Sequence, residues 1–254
     1  MGITVEGLRR TYGSVPAVAD LSFTVAPGEI VGLIGPNGAG KTTTLRCLAG
    51  ILRPTSGRIV LAGLDTAQRP LEARRQLAFM PDEPHLFEYM TVEEHLRLVG
   101  RLYGLTDIAA RTAPLLDELE LVGREQRLPA ELSRGMRQKV VIACGLVRNP
   151  PVLLFDEPLT GLDPLGIRRM RDTMIRRARD GAAVLLSSHM LPLVQEVCTR
   201  VVIMDQGRKI ADGTVEELAA RADLAEAGSN LEQIFLRVTG HDVPAGEPSQ
   251  APDA

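Results

Sequence analysis

An α/β fold with a mostly parallel sheet and an inserted helical block is what this sequence predicts, and three observations predict it. An apolar run, Ile30 to Ile34, leads straight into the glycine-rich stretch Gly35-Pro36-Asn37-Gly38-Ala39-Gly40-Lys41-Thr42-Thr43 and then into a helical pattern. After Pro150 and Pro151, short apolar runs alternate with helical ones, the pattern of a parallel sheet with helices on its faces. Between Thr91 and Val147 the pattern is helical with almost no strand signal.

Taken in order, Ile3 to Thr11 alternates apolar and polar residues like a strand, and the start lacks the basic-then-apolar build of a secretion signal. Leu21 to Val25, Ile30 to Ile34 and Arg58 to Leu61 read as further strands, set apart by Gly, Pro and Asp turns. A helix is predicted over Thr42 to Ala49. Thr91-Val92-Glu93-Glu94 begins as a capping box, with Leu96, Leu98, Val99 and Leu102 at roughly helical spacing behind it. Helical patterning continues over Ile108 to Leu121 and Ser133 to Val147. Strands resume at Val152 to Phe155, Ala183 to Ser187 and Val201 to Met204, each joined to the next by a helix. The predicted organisation is a single unit over 1–240, with a core of 1–83 and 151–240 and a helical insert at about 84–150. His241 to Ala254, rich in Pro, Gly, Ala and Asp without periodicity, is expected to be a disordered tail. No internal repeat appears.

The 254 residues are enough to bury a sizeable core, and a formal net charge of −3 gives no global basic field for nucleic acid or anionic lipid. Lys41, Lys139 and Lys209 are the only lysines, so Lys41 stands out in its loop. Cys47, Cys144 and Cys198 lie far apart in apolar segments and read as buried thiols in a reducing compartment. No apolar run reaches the length that spans a bilayer, so work at a membrane needs a spanning partner.

The G-x-x-x-x-G-K-T spacing has the shape of a phosphate-binding loop, or P-loop. Gly35, Gly38 and Gly40 let the backbone wrap around an anion, with N–H groups and the following helix N-terminus aimed at phosphate oxygens. Lys41 then reaches the β- and γ-phosphates, and the Thr42 hydroxyl is offered to Mg²⁺. Downstream, Val152 to Phe155 ends in Asp156-Glu157. An Asp at the C-terminal end of a strand beside such a loop holds Mg²⁺, and the next carboxylate orients and polarises an attacking water.

Together with Leu132-Ser133-Arg134-Gly135-Met136-Arg137-Gln138, these motifs resemble those of ATP-binding-cassette (ABC) ATPases over about residues 3 to 239. The resemblance implies a P-loop NTPase fold: a RecA-like mixed sheet core, an N-terminal antiparallel β part and an inserted α-helical subdomain. It implies a signature loop in which Ser133 and Gly135 approach the γ-phosphate of ATP held by a second subunit, with Arg134 and Met136 standing where Gly and Gln are usual. Arg134 is expected to point away from the nucleotide or towards the partner. Tyr12 matches the aromatic that stacks on adenine, Gly161-Leu162-Asp163 the loop that crosses the subunit interface, and His189 the switch histidine. His85, His95 and His241 are assigned to the surface. At Asp82, where glutamine is usual, the resemblance implies contact with Mg²⁺ at the hinge to the helical insert. Phe87 and Tyr89, just beyond it, are candidates for docking a membrane subunit.

By the same resemblance the chain is expected to be an ATPase subunit using ATP and Mg²⁺, working as a homodimer or heterodimer, with no nucleic acid among its partners. It would drive a multi-spanning permease from the cytoplasmic face of the membrane. The Arg-Gly-Met signature, Asp82 and Leu231 to Gly240 resemble the drug, lipid and polysaccharide exporter branch. An importer subunit, a soluble ABC ATPase acting on nucleic acid or ribosomes, and a generic P-loop kinase or GTPase are the alternatives. The soluble ABC ATPases carry paired cassettes, long coiled-coil inserts or zinc-binding cysteines, none of which this sequence has.

Overall fold

The computed structural model describes residues 1–222 and 230–240; the expected tail, with His241, lies outside the described residues. The first half of the chain holds β1 (Ile3–Tyr12), β2 (Val15–Val25), β3 (Ile30–Ile34), α1 (Lys41–Leu48), β4 (Ser56–Leu61), β5 (Leu64–Asp65), α2 (Pro70–Arg75), β6 (Leu77–Met80), α3 (Val92–Leu102) and α4 (Ile108–Glu118). The second half holds α5 (Arg134–Leu146), β7 (Val152–Asp156), α6 (Pro164–Arg179), β8 (Ala183–Ser187), α7 (Leu191–Val197), β9 (Arg200–Asp205), β10 (Arg208–Gly213), α8 (Val215–Arg221) and α9 (Leu231–Thr239).

Two sheets organise these elements. The first is antiparallel, in the order β2-β1-β4-β5, and buries Ile3, Val5 and Leu8 of β1 on one face. The second has the order β10-β9-β3-β8-β7-β6, parallel except for β10. Its strands β3, β7 and β8 are buried at every position, which is why they read as unbroken apolar runs rather than alternating ones. β10 is not evident from sequence. It returns from β9 through a two-residue turn, Gln206-Gly207, with φ of 46° and 75°, the left-handed pair that a tight hairpin demands. The short β6 and α2 are likewise not evident, being four and six residues long.

Between β6 and β7 the described residues contain helices and one 3₁₀ turn but no strand. The capping box at Thr91 forms as expected: its hydroxyl accepts from the Glu94 N–H, and the Glu94 carboxylate accepts from the Thr91 N–H. The second helix stops at Glu118, short of the predicted Leu121. Glu120 takes the left-handed conformation, φ 57°, and the Leu121 N–H turns back to the Leu116 carbonyl, a Schellman-type ending that still buries Leu119 and Leu121. The helical stretch shares its core with the sheet. Leu96, Leu116, Val140 and Ala143 belong to one apolar cluster with Ala78, Met80 and Phe155 of the parallel strands. A second cluster lies between that sheet and the antiparallel one around α1, and a third joins α7, α8, α9 and β9.

The parallel register positions the candidate site residues. Leu33 lies beside Ser187, Asp156 beside Ser187, and Met80 beside Phe155, so the loops after β3, β6, β7 and β8 leave the same sheet edge. Ligand crevices of open α/β sheets form outside this carboxyl edge.

Candidate functional site

Gly35 to Gly40 link the buried β3 to the first turn of α1, with Asn37 and Gly38 exposed at the mouth. Two glycines are required by close approach. A Cβ on Gly35 would lie 2.3 Å from the Met204 carbonyl oxygen, and one on Gly40, at φ 98°, would lie 2.4 Å from that of Ala17. The Gly40 contact also brings β2 against the loop, and Gly207 joins the same junction by donating to the Ala39 carbonyl and accepting from the Ala19 N–H. At the tip of the β1–β2 hairpin Tyr12 pairs in register with Val15, two residues from Ala17. It is half exposed, and the Arg10 guanidinium lies 4.7 Å from its ring centroid. Tyr12 is therefore not a core residue.

Lys41 is buried, and its ammonium donates to the carbonyls of Gly35 at 2.7 Å and Pro36 at 3.2 Å. Burial pulls its pKa below the ordinary lysine value, while the charges of Glu157 and Asp156 oppose that shift. The cation is thus held inside the loop it serves. Thr43 is half-buried behind it.

Asp156, buried at the end of β7, accepts hydrogen bonds from the hydroxyls of Thr42 at 3.1 Å and Ser187 at 2.7 Å. Ser187 is not identifiable from sequence; only the parallel register of β7 and β8 shows that it faces Asp156. Its oxygen also accepts from the Glu157 N–H at 3.2 Å, so one hydroxyl ties the two acids together. Glu157 adopts φ 47°, an uncommon conformation for a non-glycine residue and one that concentrates at functional sites. Its carboxylate accepts from His189 twice, from the backbone N–H at 3.3 Å and from ring Nδ1 at 2.8 Å, so the ring carries its proton on Nδ1 in this arrangement.

This donor set, one hydroxyl and one carboxylate, fits a hard divalent cation that takes oxygen ligands and completes its shell from phosphates and water. Among the described residues no group of three or more His, Cys, Asp or Glu converges on a metal position. A dedicated protein cage for a metal is therefore not what these residues build.

The signature residues lie apart from this cluster. Ser133 caps α5, its hydroxyl accepting from the Met136 N–H at 3.2 Å. A Cβ on Gly135 would sit 2.7 Å from the Gly161 carbonyl, so the first turn of α5 packs directly on the loop before α6, where Asp163 accepts from the Gly166 N–H. Among the described residues no hydrogen bond or ion pair links Ser133 or Gly135 to Gly35–Thr43, Asp156 or Glu157. Among the described residues the two groups stay separate.

Asp82 makes no direct bond to Thr42, Asp156 or Ser187 among the described residues: its Oδ1 faces the Arg134 guanidinium at 3.6 Å and makes no hydrogen bond. One expectation needs correction: His95 is not a surface residue. It is buried, with Nδ1 2.7 Å from the Thr91 carbonyl and Nε2 accepting from the Phe87 N–H at 2.9 Å, a contact to loop backbone that no sequence pattern announces. Phe87 and Tyr89 are exposed, the Phe87 ring lying 5.9 Å from that of His95. His85 is exposed. The cysteines are free, and burial raises the Cys47 thiol to about 11 and the Cys144 thiol to about 12, so both stay protonated and inert.

Residues 18–160 match the family model described as ABC transporter. The chain is 38% identical over 242 residues to the ABC-type transporter ATP-binding protein EcsA of Bacillus subtilis, covering 94% of this chain and 97% of that one. It is 38% identical to Nod factor export ATP-binding protein I of Paraburkholderia xenovorans, covering 92% of this chain and 76% of that protein. A solved ATP-binding subunit of an ABC transporter superposes with a TM-score of 0.89 at 38% identity, over 94% of this chain and all of its own.

Proposed function

Since the chain belongs to the ABC transporter family as an ATP-binding, ATP-hydrolysing subunit, we propose that two copies close head to tail around two ATP molecules and drive a separate membrane permease. The observation that carries this reading is the separation of the signature residues from the phosphate loop. Ser133 and Gly135 sit at a helix N-terminus, a natural phosphate-binding end, yet among the described residues no hydrogen bond or ion pair brings them to the loop that would hold a phosphate. A second subunit supplies one.

In this reading the Gly35–Gly40 backbone and Lys41 hold the triphosphate, and Thr42 and Asp156 hold Mg²⁺, which neutralises phosphate charge when bound. Asn37 and Gly38 stand exposed at the loop mouth, Ala39 is buried, and Thr43 follows Thr42 into the first turn of α1. Tyr12 stacks on adenine with its free face. Glu157 takes the proton of the attacking water, and the His189 N–H groups fix where its carboxylate points. Ser187, by bonding both Asp156 and the Glu157 backbone, keeps metal ligand and base in register.

No helix among the described residues is long and apolar enough to cross a membrane. The permease in this reading is a different chain, and the subunit works at the cytoplasmic face. Export is favoured because one relative is named for Nod factor export, and by resemblance the Arg-Gly-Met signature points the same way. The test is co-purification: the chain, tagged and expressed with its neighbouring reading frames, should bring down a multi-spanning protein whose presence changes its ATPase rate. A chain that binds no membrane protein and hydrolyses ATP unchanged would overturn the transport reading.

Docking falls to the exposed pair Phe87 and Tyr89. Aromatics are enriched at interfaces, and the His95 bond holds the Phe87 backbone in place without burying its ring. Phe87→Ala and Tyr89→Ala should leave ATP affinity of the isolated subunit unchanged within about twofold. Each should weaken pull-down of the permease by about tenfold, a change of ~1.4 kcal/mol typical of an interface anchor. Normal assembly and coupling in both variants would move the docking surface elsewhere.

A further inference from the structure

Two of the three places where this sequence departs from the commonest family pattern, Asp82 and Arg134, face each other. Asp82 follows β6 at the sheet edge, Arg134 stands between Ser133 and Gly135, and 3.6 Å separates guanidinium from carboxylate. The contact is loose. As whole side chains Arg134 is 53% and Asp82 47% exposed, while the Asp82 Oδ1 that faces the guanidinium is shielded from solvent and accepts no hydrogen bond from the described residues. The Arg134 stem passes within 3.5 Å of where a Cβ on Gly161 would sit, which sets the side chain along the surface of the loop before α6. Beside it Gln138, fully buried, donates from Nε2 to the Pro81 carbonyl at 2.9 Å, so α5 meets the 81–82 segment at two points, one firm and one weak.

We propose that Arg134 is a phosphate-binding residue in trans, exchanged between two anions: Asp82 of its own chain when the subunit is free, and the triphosphate of ATP held by the second subunit when the two close. The inference rests on the head-to-tail reading. An arginine flanked by Ser133 and Gly135 is carried to whatever phosphate those residues approach. Its planar fork makes short, charge-assisted bonds to phosphate oxygens that a half-exposed pair at 3.6 Å does not match. Asp82 then acts as a placeholder. It neutralises the guanidinium in the free chain, weakly enough to release it, because a pair 3.6 Å apart with no hydrogen bond between half-exposed side chains contributes little. An acid in place of glutamine and a base in place of glycine thereby acquire one common purpose.

Ordinary ion pairs and exchanged ones differ in the sign of their effects. The measurement is ATP-driven association of the Glu157→Gln chain, by sedimentation with Mg²⁺ and ATP, alone and combined with Arg134→Gln, Asp82→Asn or both. Arg134→Gln should weaken association by about tenfold or more, the scale of a lost hydrogen bond to a charged group. Asp82→Asn, which removes only the competing anion, should strengthen it by about two- to fivefold. In the Arg134→Gln background Asp82→Asn should have no effect. Thermal midpoints without nucleotide report whether each variant is folded, and both substitutions are at half-exposed side chains. If both variants weaken association, or if Asp82→Asn keeps its effect without the arginine, the pair is structural or Asp82 serves the metal, and the proposal fails. If the parent chain itself stays monomeric with ATP, the head-to-tail reading fails first.

Discussion

Lys41→Ala should abolish ATP binding, with a loss of affinity on the order of 10²-fold or more, while the nucleotide-free chain stays folded. The reason lies in where the ammonium sits. It is buried within the loop, bonded to the Gly35 and Pro36 carbonyls, and burial already lowers its pKa. An incoming triphosphate replaces those neutral acceptors with charged ones, and each hydrogen bond to a charged group contributes about 1.5–3 kcal/mol. The empty state gains far less from the cation, since its desolvation offsets the two carbonyl bonds. Nucleotide affinity by calorimetry and thermal midpoint without nucleotide should therefore separate: the first collapses, and the second moves by no more than a few degrees. Unchanged affinity would take the phosphate-binding role from this loop, and a chain unfolded without nucleotide would make the lysine structural.

Glu157→Gln should lower turnover by about 10² to 10⁴-fold, the range of general-base contributions, with ATP affinity retained. Glutamine keeps the shape of the side chain and one oxygen that can accept from the His189 N–H groups, but it cannot take a proton from water. Phosphate release under saturating ATP reads the first effect, and nucleotide titration reads the second. A variant that turns over at the parent rate would strip Glu157 of its role as base. One that loses ATP binding would make its carboxylate part of the binding site instead.

The sequence announces what is local and leaves out what is assembled. Gly35 to Thr43 and Asp156-Glu157 are contiguous strings whose spacing alone carries their chemistry, and Thr91-x-x-Glu94 is a local signal that the fold obeys. Ser187 is different: it meets Asp156 only because β7 and β8 run parallel in one register, 31 residues apart in the chain. The Asp82–Arg134 contact depends on α5 returning to the end of β6 across the helical stretch, and neither residue names the other. His95 reads as surface by default because a lone histidine on an amphipathic helix is ambiguous. Its burial is decided by the Phe87 backbone folding over it. β10 carries a legible cue in Gln206-Gly207, but its strand is mostly exposed or half-buried and lacks the apolar run that marks the others.

The claim on which the rest depends is that ATP is shared between two copies of this chain, Lys41 and Glu157 from one and Ser133 and Gly135 from the other. Sedimentation equilibrium of the Glu157→Gln chain with Mg²⁺ and ATP tests it most directly, with Ser133→Arg added as the second arm. Mass should double on adding ATP, stay unchanged with ADP, and stay unchanged when Ser133→Arg is present even though the P-loop is intact. A parent chain that hydrolyses ATP at full rate as a strict monomer, or a Ser133→Arg chain that still doubles, would contradict it.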